Sequence, residues 1–141
     1  MKSTKAKVLH EVAGEPLVGH VLRALRDADM ADIVVVVGHQ REKVVEYLRT
    51  TAPTARTAVQ EQMRGTGDAV RQAMPQVPTS ATTVMVLAGD TPLLTGATLR
   101  DLLDRQADSR AAATVLTACL AEPSGYGRIV RDEIGVRRIV E

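Results

Sequence analysis

The residue whose type and position best suit chemistry is Asp90, which follows Gly89 and an apolar run at residues 83–88. Such a run predicts a strand buried on both faces that delivers the carboxylate to its C-terminal end. One carboxylate there suits Mg²⁺, which takes one or two carboxylates together with phosphate oxygens and water. The alternative is that Asp90 only caps the following turn, and these residues alone leave both interpretations open.

A second candidate is the loop that contains Gln60, Gly65 and Thr66. Gly65 and Gly67 flank Thr66 just before a predicted helix at residues 67–74, so free backbone N–H groups there could face a base or a phosphate. The side-chain amide of Gln60 both donates and accepts, which suits the edge of a pyrimidine. Taken alone, the segment favours a flexible loop with Thr66 as the helix N-cap.

Two further segments supply a charge and a turn. Lys7 is a compact cation of the kind that neutralises phosphate, and a solvated surface lysine is the alternative. Gly127 belongs to a Gly-Tyr-Gly-Arg sequence that predicts a tight turn, either for reading sugar hydroxyls or as a structural hairpin turn. The histidines His10, His20 and His39 have no metal-ligand spacing, so we expect them to be core or surface residues without a catalytic role.

Alternating helices and strands must position these residues. Apolar residues at helical spacing predict helices, and unbroken β-branched runs predict strands of a parallel sheet. The predicted helices cover residues 15–25, 42–48, 67–74 and 96–107, and the predicted strands cover residues 33–37, 56–60, 83–88, 112–120, 128–131 and 136–140, the last two as a hairpin. This alternation predicts an α/β sheet with helices on both faces and ligands beyond the carboxyl ends of the strands.

Composition excludes several classes of protein. The chain has 18 basic and 17 acidic residues and only two aromatic side chains, both tyrosines, which argues against a nucleic-acid partner. No apolar stretch reaches the roughly 18 residues of a membrane helix and no secretory signal is present, so we expect a cytoplasmic protein with no membrane partner. The single cysteine, Cys119, lies in an apolar run and is expected to be a small buried residue.

The order of the motifs resembles the uridyltransferase domain of the bacterial family of bifunctional N-acetylglucosamine-1-phosphate uridyltransferase/glucosamine-1-phosphate acetyltransferases. The motifs are Lys-Val-Leu-His, Gly-Thr-Gly-Asp-Ala, Ala-Gly-Asp-Thr-Pro-Leu-Leu, Gly-Tyr-Gly-Arg and a final Ile-Val-Glu, and they cover nearly the whole chain. The resemblance implies a Rossmann-like nucleotidyltransferase fold. It also implies that UTP and N-acetylglucosamine-1-phosphate are converted, with Mg²⁺, into UDP-N-acetylglucosamine and pyrophosphate for cell-wall synthesis.

The resemblance implies roles for individual residues. Lys7 and Asp90 are the expected catalytic residues, Lys7 on phosphate and Asp90 as the Mg²⁺ ligand. The residues expected to bind substrate are Gln60, Gly65 and Thr66 at the uracil, Gly89 at the ribose, and Gly127 and Glu141 at the N-acetylglucosamine moiety, with Lys7. Ala6 stands where the family usually has proline.

The resemblance further implies that residues 1–141 are the central part of a nucleotidyltransferase domain. The family opens with a buried strand and a glycine-rich phosphate loop, and it continues with further site residues and a trimeric acetyltransferase domain. We therefore expect these residues alone to be inactive and the full-length protein to form a homotrimer. The alternatives are another sugar-1-phosphate nucleotidyltransferase, a non-catalytic nucleotide- or sugar-binding module, and a truncated gene model without function.

Overall fold

A computed structural model describes residues 5–38 and 40–140, so the predictions for His39 and Glu141 lie outside the described residues. The chain forms two compact units, residues 1–110 and residues 111–141. The first contains β1 (Glu11–Val12), β2 (Glu15–Pro16), α1 (Leu17–Asp27), β3 (Val34–Val37), α2 (Arg41–Thr51), β4 (Arg56–Val59), α3 (Thr66–Ala73) and α4 (Gly96–Asp108), and the second contains β5 (Arg128–Asp132) and β6 (Gly135–Val140). No helix in the described ranges has the length and apolarity needed to cross a membrane.

The main sheet of the first unit is the parallel pair of β3 and β4. Val34 lies opposite Arg56, and Val37 lies opposite Val59. Parallel neighbours require a crossover connection, commonly a helix, and α2 supplies it here. This βαβ arrangement confirms the α/β class predicted from the alternation of helices and strands.

An aliphatic core forms where α1 and α2 pack against β3. Its buried residues are Leu9, Val18, Leu22, Val37, Val44 and Leu48. The two members from α1 are one helical turn apart, as are the two from α2, which is the spacing of a helix with one apolar face. Leu9 ends the 3₁₀ turn Lys7–Leu9, so the core holds that turn beside the carboxyl end of β3.

A second cluster joins α4 to α1. Leu99 is 0% exposed and packs against Ala24 and Ala28. Gly96 allows the close approach of the two helices, because a Cβ there would lie 2.8 Å from the carbonyl carbon of Asp27. The close contact between these helices therefore depends on the buried side chain of Leu99 and on the absence of a Cβ atom at Gly96.

Substitution of Leu99 tests this packing. We expect Leu99→Ala to lower the free energy of unfolding of the whole protein by about 2–5 kcal/mol, because truncating a fully buried leucine leaves a cavity. Urea denaturation measures the loss. Leu93 is 91% exposed, so Leu93→Ala is the matched control and should change stability by less than about 0.5 kcal/mol. Equal losses in the two variants would contradict this account of the core.

The strand predicted at residues 83–88 does not form. Met85 and Leu87 pack against the Leu99 cluster, whereas Val84 and Val86 are 46% and 54% exposed. This alternation is typical of a strand, but a strand also needs backbone hydrogen bonds from a neighbour. Within the part of the chain that the structure describes, none reaches residues 84–87, and the predicted burial on both faces is wrong for the same reason.

The strand predicted at residues 112–120 is also absent from the described structure. Val115 and Leu116 are 45% and 52% exposed, and Cys119 is exposed. The prediction of a buried Cys119 is therefore wrong, because an apolar run becomes buried only when another element packs over it.

The start of α1 differs from the prediction. Glu15 and Pro16 do not open the helix but pair with Glu11 and Val12 as a short antiparallel ladder. Pro16 has extended backbone angles (φ −55°, ψ 146°) and is the N-cap, so the helix begins at Leu17.

The second unit contains the predicted hairpin. Strands β5 and β6 pair in antiparallel fashion with Ile129 opposite Ile139, and a bulge lies between Val130 and Arg131. The carboxylate of Asp132 accepts hydrogen bonds from the N–H groups of Ile134 and Gly135, at 2.9 and 3.1 Å. This carboxylate therefore fixes the turn that joins the two strands.

Candidate functional site

The structure brings together Lys7 and Asp90, which the sequence places in separate motifs. Nζ of Lys7 lies 2.5 Å from Oδ2 of Asp90. The lysine side chain is 78% exposed and the aspartate side chain 30% exposed. Gly89 permits this approach, since a Cβ there would lie 3.2 Å from Cγ1 of Val8. The 3₁₀ turn that carries Lys7 therefore rests against the turn that carries Asp90.

Asp90 also changes the electrostatics of the lysine. Its hydrogen bond, and then its negative charge, raise the pKa of Lys7 above the ordinary value of 10.5, and these effects outweigh the small opposing effect of desolvation. Lys7 therefore remains a cation throughout the neutral range. It is a ready countercharge for an anionic ligand, provided that a metal ion takes its place beside Asp90.

The donor set at Asp90 suits a metal ion that is shared with a substrate. Across residues 5–38 and 40–140, no group of three His, Cys, Asp or Glu side chains could hold a metal ion. The hydroxyl of Thr91 donates to the carbonyl of Ala88 at 2.8 Å, which holds this side chain in the turn beside Asp90. A single carboxylate fits Mg²⁺, which usually keeps water and substrate phosphates among its ligands.

The Gln60 loop follows the carboxyl ends of β3 and β4. The backbone N–H of Gln60 donates to the carbonyl of Val37 at 2.8 Å. Its side-chain Nε2 donates to the carbonyl of Gly65 at 3.2 Å and to Oδ2 of Asp68 at 2.8 Å. Gly65 has φ +89°, a conformation that favours glycine. The loop is thus folded onto the first turn of α3 by the side chain of Gln60.

Thr66 does not occupy the N-cap position expected from the sequence of this loop. Helix α3 begins at Thr66, and Gly65 is the N-cap without a side-chain hydrogen bond. The interpretation of Thr66 as the N-cap is therefore wrong, because the positive φ of Gly65 already makes the turn into the helix. The capping position carries no side chain, which leaves the backbone at the start of α3 accessible to a ligand.

Asp68 is the residue of this loop that sequence reasoning missed. It lies in the quoted Gly-Thr-Gly-Asp-Ala motif, but no role was inferred for it. The available signal was an acidic residue in the first turn of a predicted helix, close in sequence to a glutamine that needs a partner.

Gly127 lies in the second unit and is exposed, directly before β5. The predicted tight turn forms, with the N–H of Tyr126 donating to the carbonyl of Pro123 at 3.0 Å. Gly125 has φ +81°, which explains the first glycine of the motif. A sugar-binding role for Gly127 stays a prediction.

His20 has the structural role expected of it. Its side chain is 10% exposed. Its Nε2 donates to the carbonyl of Val12 at 2.8 Å, and its Nδ1 accepts from Arg23 at 2.7 Å. Nε2 thus attaches α1 to the end of β1, whereas the bond from Arg23 to Nδ1 lies within α1.

Two surface hollows differ in their relation to the site. The larger one, about 420 Å³, lies between α2 and the sheet and contains none of the predicted site residues that the structure describes. The smaller one, about 220 Å³, is lined by residues of the Gln60 loop and by Asp68 and Gln72 of α3. It therefore adjoins the loop whose residues could read a base.

An α/β unit with a lysine, a carboxylate and a glycine-containing loop around its strand ends is the class of structure that handles nucleotides. The chain belongs to the MobA-like NTP transferase domain family, whose model matches residues 1–135. The fold is therefore that of a Rossmann-like nucleotidyltransferase. Enzymes of this class generally use a divalent metal ion, in keeping with the carboxylate of Asp90.

Three curated relatives are similar to the whole chain, and each is named Bifunctional protein GlmU. The chain is 50% identical over 146 residues to the protein of Thermobifida fusca, 53% identical over 142 residues to that of Heliobacterium modesticaldum and 44% identical over 142 residues to that of Enterococcus faecalis. In each comparison 100% of this chain matches 30% of the relative. The chain thus spans under a third of the length of these relatives.

Proposed function

We propose that the protein containing this chain transfers a uridylyl group from UTP to N-acetylglucosamine-1-phosphate, which yields UDP-N-acetylglucosamine and pyrophosphate. The observation that carries the proposal is the Lys7–Asp90 pair, 2.5 Å apart, in a chain about half identical to relatives named Bifunctional protein GlmU. A cation and a carboxylate held together are what a site for a metal-bound polyphosphate needs before its ligand arrives.

In this proposal a phosphate oxygen of the sugar phosphate attacks the α-phosphorus of UTP, and the bond to the departing pyrophosphate breaks. The protein positions the two anions and neutralises their charge, and it forms no covalent bond to either. Lys7 would leave Asp90 to contact phosphate oxygens, and Asp90 would hold the Mg²⁺. When bound, Mg²⁺ supplies positive charge to the phosphate oxygens.

The remaining contacts are assigned by the resemblance of the motifs. We propose that the uracil is bound by Gln60, Gly65 and Thr66, the ribose by Gly89, and the N-acetylglucosamine moiety by Gly127 and Glu141. The hydrogen bonds that fold the Gln60 loop onto α3 support the first of these assignments.

We also propose that residues 1–141 form the central part of a nucleotidyltransferase domain in a longer, cytoplasmic protein. The coverage of 30% of the relatives' length supports this proposal. In the longer protein we expect a homotrimer formed by a separate domain, and no membrane or nucleic-acid partner. The unpaired apolar segment at residues 84–87 is consistent with a sheet that other residues complete.

Produced alone, the 141 residues are expected to associate instead of melting as a stable monomer. Val84 and Val86 are about half exposed on a segment that pairs with no strand of residues 5–38 and 40–140, and apolar unpaired segments of this kind template association. Direct pairing of residues 84–88 with the other edge of β3 would remove that exposed edge, but in the described residues this sheet contains β3 and β4 alone. Light scattering during thermal unfolding measures both properties.

Val86→Lys is the matched variant, since a charge on an exposed edge blocks pairing with another chain. It should reduce association of the isolated chain. A monomeric parent chain with a cooperative transition near 50 °C or above, as intact mesophilic domains show, would contradict the proposal that the fold is incomplete.

A pyrophosphate-release assay tests the proposed function. The full-length protein is incubated with Mg²⁺, each of the four nucleoside triphosphates, and a panel of sugar phosphates. We expect release with UTP and N-acetylglucosamine-1-phosphate, and none from the 141 residues alone. Preference for another base or sugar would favour a related nucleotidyltransferase. Ligand binding without turnover would favour a non-catalytic module, and neither binding nor turnover would leave a fragment without function.

A further inference from the structure

The orientation of the Gln60 amide is fixed by its neighbours. The nitrogen Nε2 carries two protons, and it has two acceptors, the carbonyl of Gly65 at 3.2 Å and the carboxylate of Asp68 at 2.8 Å. Rotating the amide by half a turn would bring its oxygen against both of these oxygens. Three acceptor oxygens without a hydrogen atom between them cannot form hydrogen bonds, so only the observed orientation of the amide satisfies these neighbours.

The consequence is that Gln60 can offer a ligand only an acceptor. Both of its N–H groups are used within the protein, and the amide oxygen Oε1 has no hydrogen-bond partner among the described residues. A free glutamine presents either end of its amide to a ligand. In this structure the Gln60 side chain can present only its amide oxygen to a ligand.

Asp68 fixes the orientation of the Gln60 amide more strongly than Gly65 does. Its contact with Nε2 is the shorter of the two, and hydrogen bonds to an ionised acceptor are roughly twice as strong as neutral ones. Asp68 also lies in the first turn of α3, where the helix dipole favours a negative charge. Asp68 therefore supplies a carboxylate oxygen that accepts from the amide of Gln60.

A hydrogen-bond acceptor such as Oε1 of Gln60 can distinguish uracil from cytosine. Uracil carries a proton on N3, which can donate to Oε1, whereas N3 of cytosine is itself an acceptor. A buried or half-buried polar group that faces a like group rejects that ligand strongly. A Gln60 amide that is free to rotate would instead donate to the N3 of cytosine.

We propose that Asp68 is a positioning residue that fixes the acceptor end of Gln60 toward the base and so selects a pyrimidine with a protonated N3 over cytosine. The inference rests on the proposed function, in which Gln60 contacts the base. It predicts that Asp68 controls base selectivity while making no contact with the nucleotide itself.

The test compares kcat/KM for UTP with kcat/KM for CTP in the full-length enzyme. We expect Asp68→Ala to lower this selectivity ratio about tenfold, the effect of one hydrogen bond. The ratio does not depend on the fraction of correctly folded enzyme, so partial unfolding cannot imitate the result. The ratio of kcat/KM for UTP to kcat/KM for ribothymidine triphosphate should stay unchanged, because both bases carry a proton on N3.

Three variants separate positioning from a merely structural role. Asp68→Asn keeps an acceptor oxygen for Nε2 and should restore most of the selectivity. In a Gln60→Ala background, Asp68→Ala should have no further effect on the ratio. Glu61→Ala is the matched control, because this carboxylate is 77% exposed and pairs with Arg41 instead of Gln60.

The possible results test the role of Asp68 and the proposed function separately. Unchanged UTP/CTP selectivity in Asp68→Ala would overturn the role of Asp68, and so would an equal fall in the Gln60→Ala background. Both results leave the proposed function standing. A parent enzyme that is inactive, or that shows no preference for UTP over CTP, would instead overturn the assignment of the base and the inference with it.

Discussion

Asp90→Asn in the full-length enzyme is expected to lower kcat/KM for uridylyl transfer by a factor of about one hundred to one thousand. The amide has nearly the size of the carboxylate but no charge, so it is a weak ligand for a divalent metal ion. Losing charge stabilisation worth several kcal/mol in the transition state gives an effect of this order. Pyrophosphate release measured over a range of Mg²⁺ concentrations should show a higher Mg²⁺ requirement and a lower maximal rate.

The three histidines provide the comparison for this result. His20 is satisfied by Val12 and Arg23, so His20→Ala is expected to affect stability more than turnover. His10→Ala and His39→Ala are expected to leave kcat/KM within about threefold, because the sequence gives neither histidine a partner or a spacing suited to the chemistry. A histidine variant as inactive as Asp90→Asn would show that the chemistry lies elsewhere.

Lys7→Met is expected to lower kcat/KM about tenfold to a hundredfold. It removes the charge that opposes the phosphates and keeps the length and apolar volume of the side chain. The ordinary pKa of Lys7 is 10.5, and phosphates beside it favour the charged form, so the lysine is a cation at both about pH 6 and about pH 9 even after it has left Asp90. The loss relative to the parent enzyme should therefore be equal at these two pH values, which steady-state kinetics can measure directly.

Lys5→Met is the matched control for this variant. Lys5 lies close by in the sequence but pairs with Glu11 at 3.1 Å, on the surface. We expect its loss to change kcat/KM by less than about twofold, since exposed ion pairs contribute little. Equal effects of the two lysine substitutions would mean that only the net charge of this segment matters.

The helices and the parallel pair could be predicted from the sequence because their signals are local. Apolar residues one turn apart, such as Val44 and Leu48, mark the inner face of α2, and the run of valines marks β3, of which Val37 is buried. The motif order also indicated Lys7 and Asp90, whose proximity the structure shows. The sequence could not show that Val8 fills the space beside Gly89, because that contact depends on the folded core.

The remaining differences arise where structure depends on partners distant in sequence. The valines at positions 84 and 86 have strand propensity, but pairing requires a neighbour that the propensity of one segment cannot provide. The exposure of Cys119 has the same cause. Asp68 was missed because its role is visible only once the amide of Gln60 and its two acceptors are placed.

The most direct test of the central claim, that Lys7 and Asp90 form a site for a metal-bound nucleotide, is the Mg²⁺ dependence of UTP binding. Isothermal titration of the full-length protein with UTP, in Mg²⁺ and in EDTA, gives the coupling between metal and nucleotide. We predict that Mg²⁺ tightens UTP binding at least about tenfold in the parent protein, and that Asp90→Asn abolishes most of this coupling. Equal coupling in the parent and in Asp90→Asn would contradict the claim.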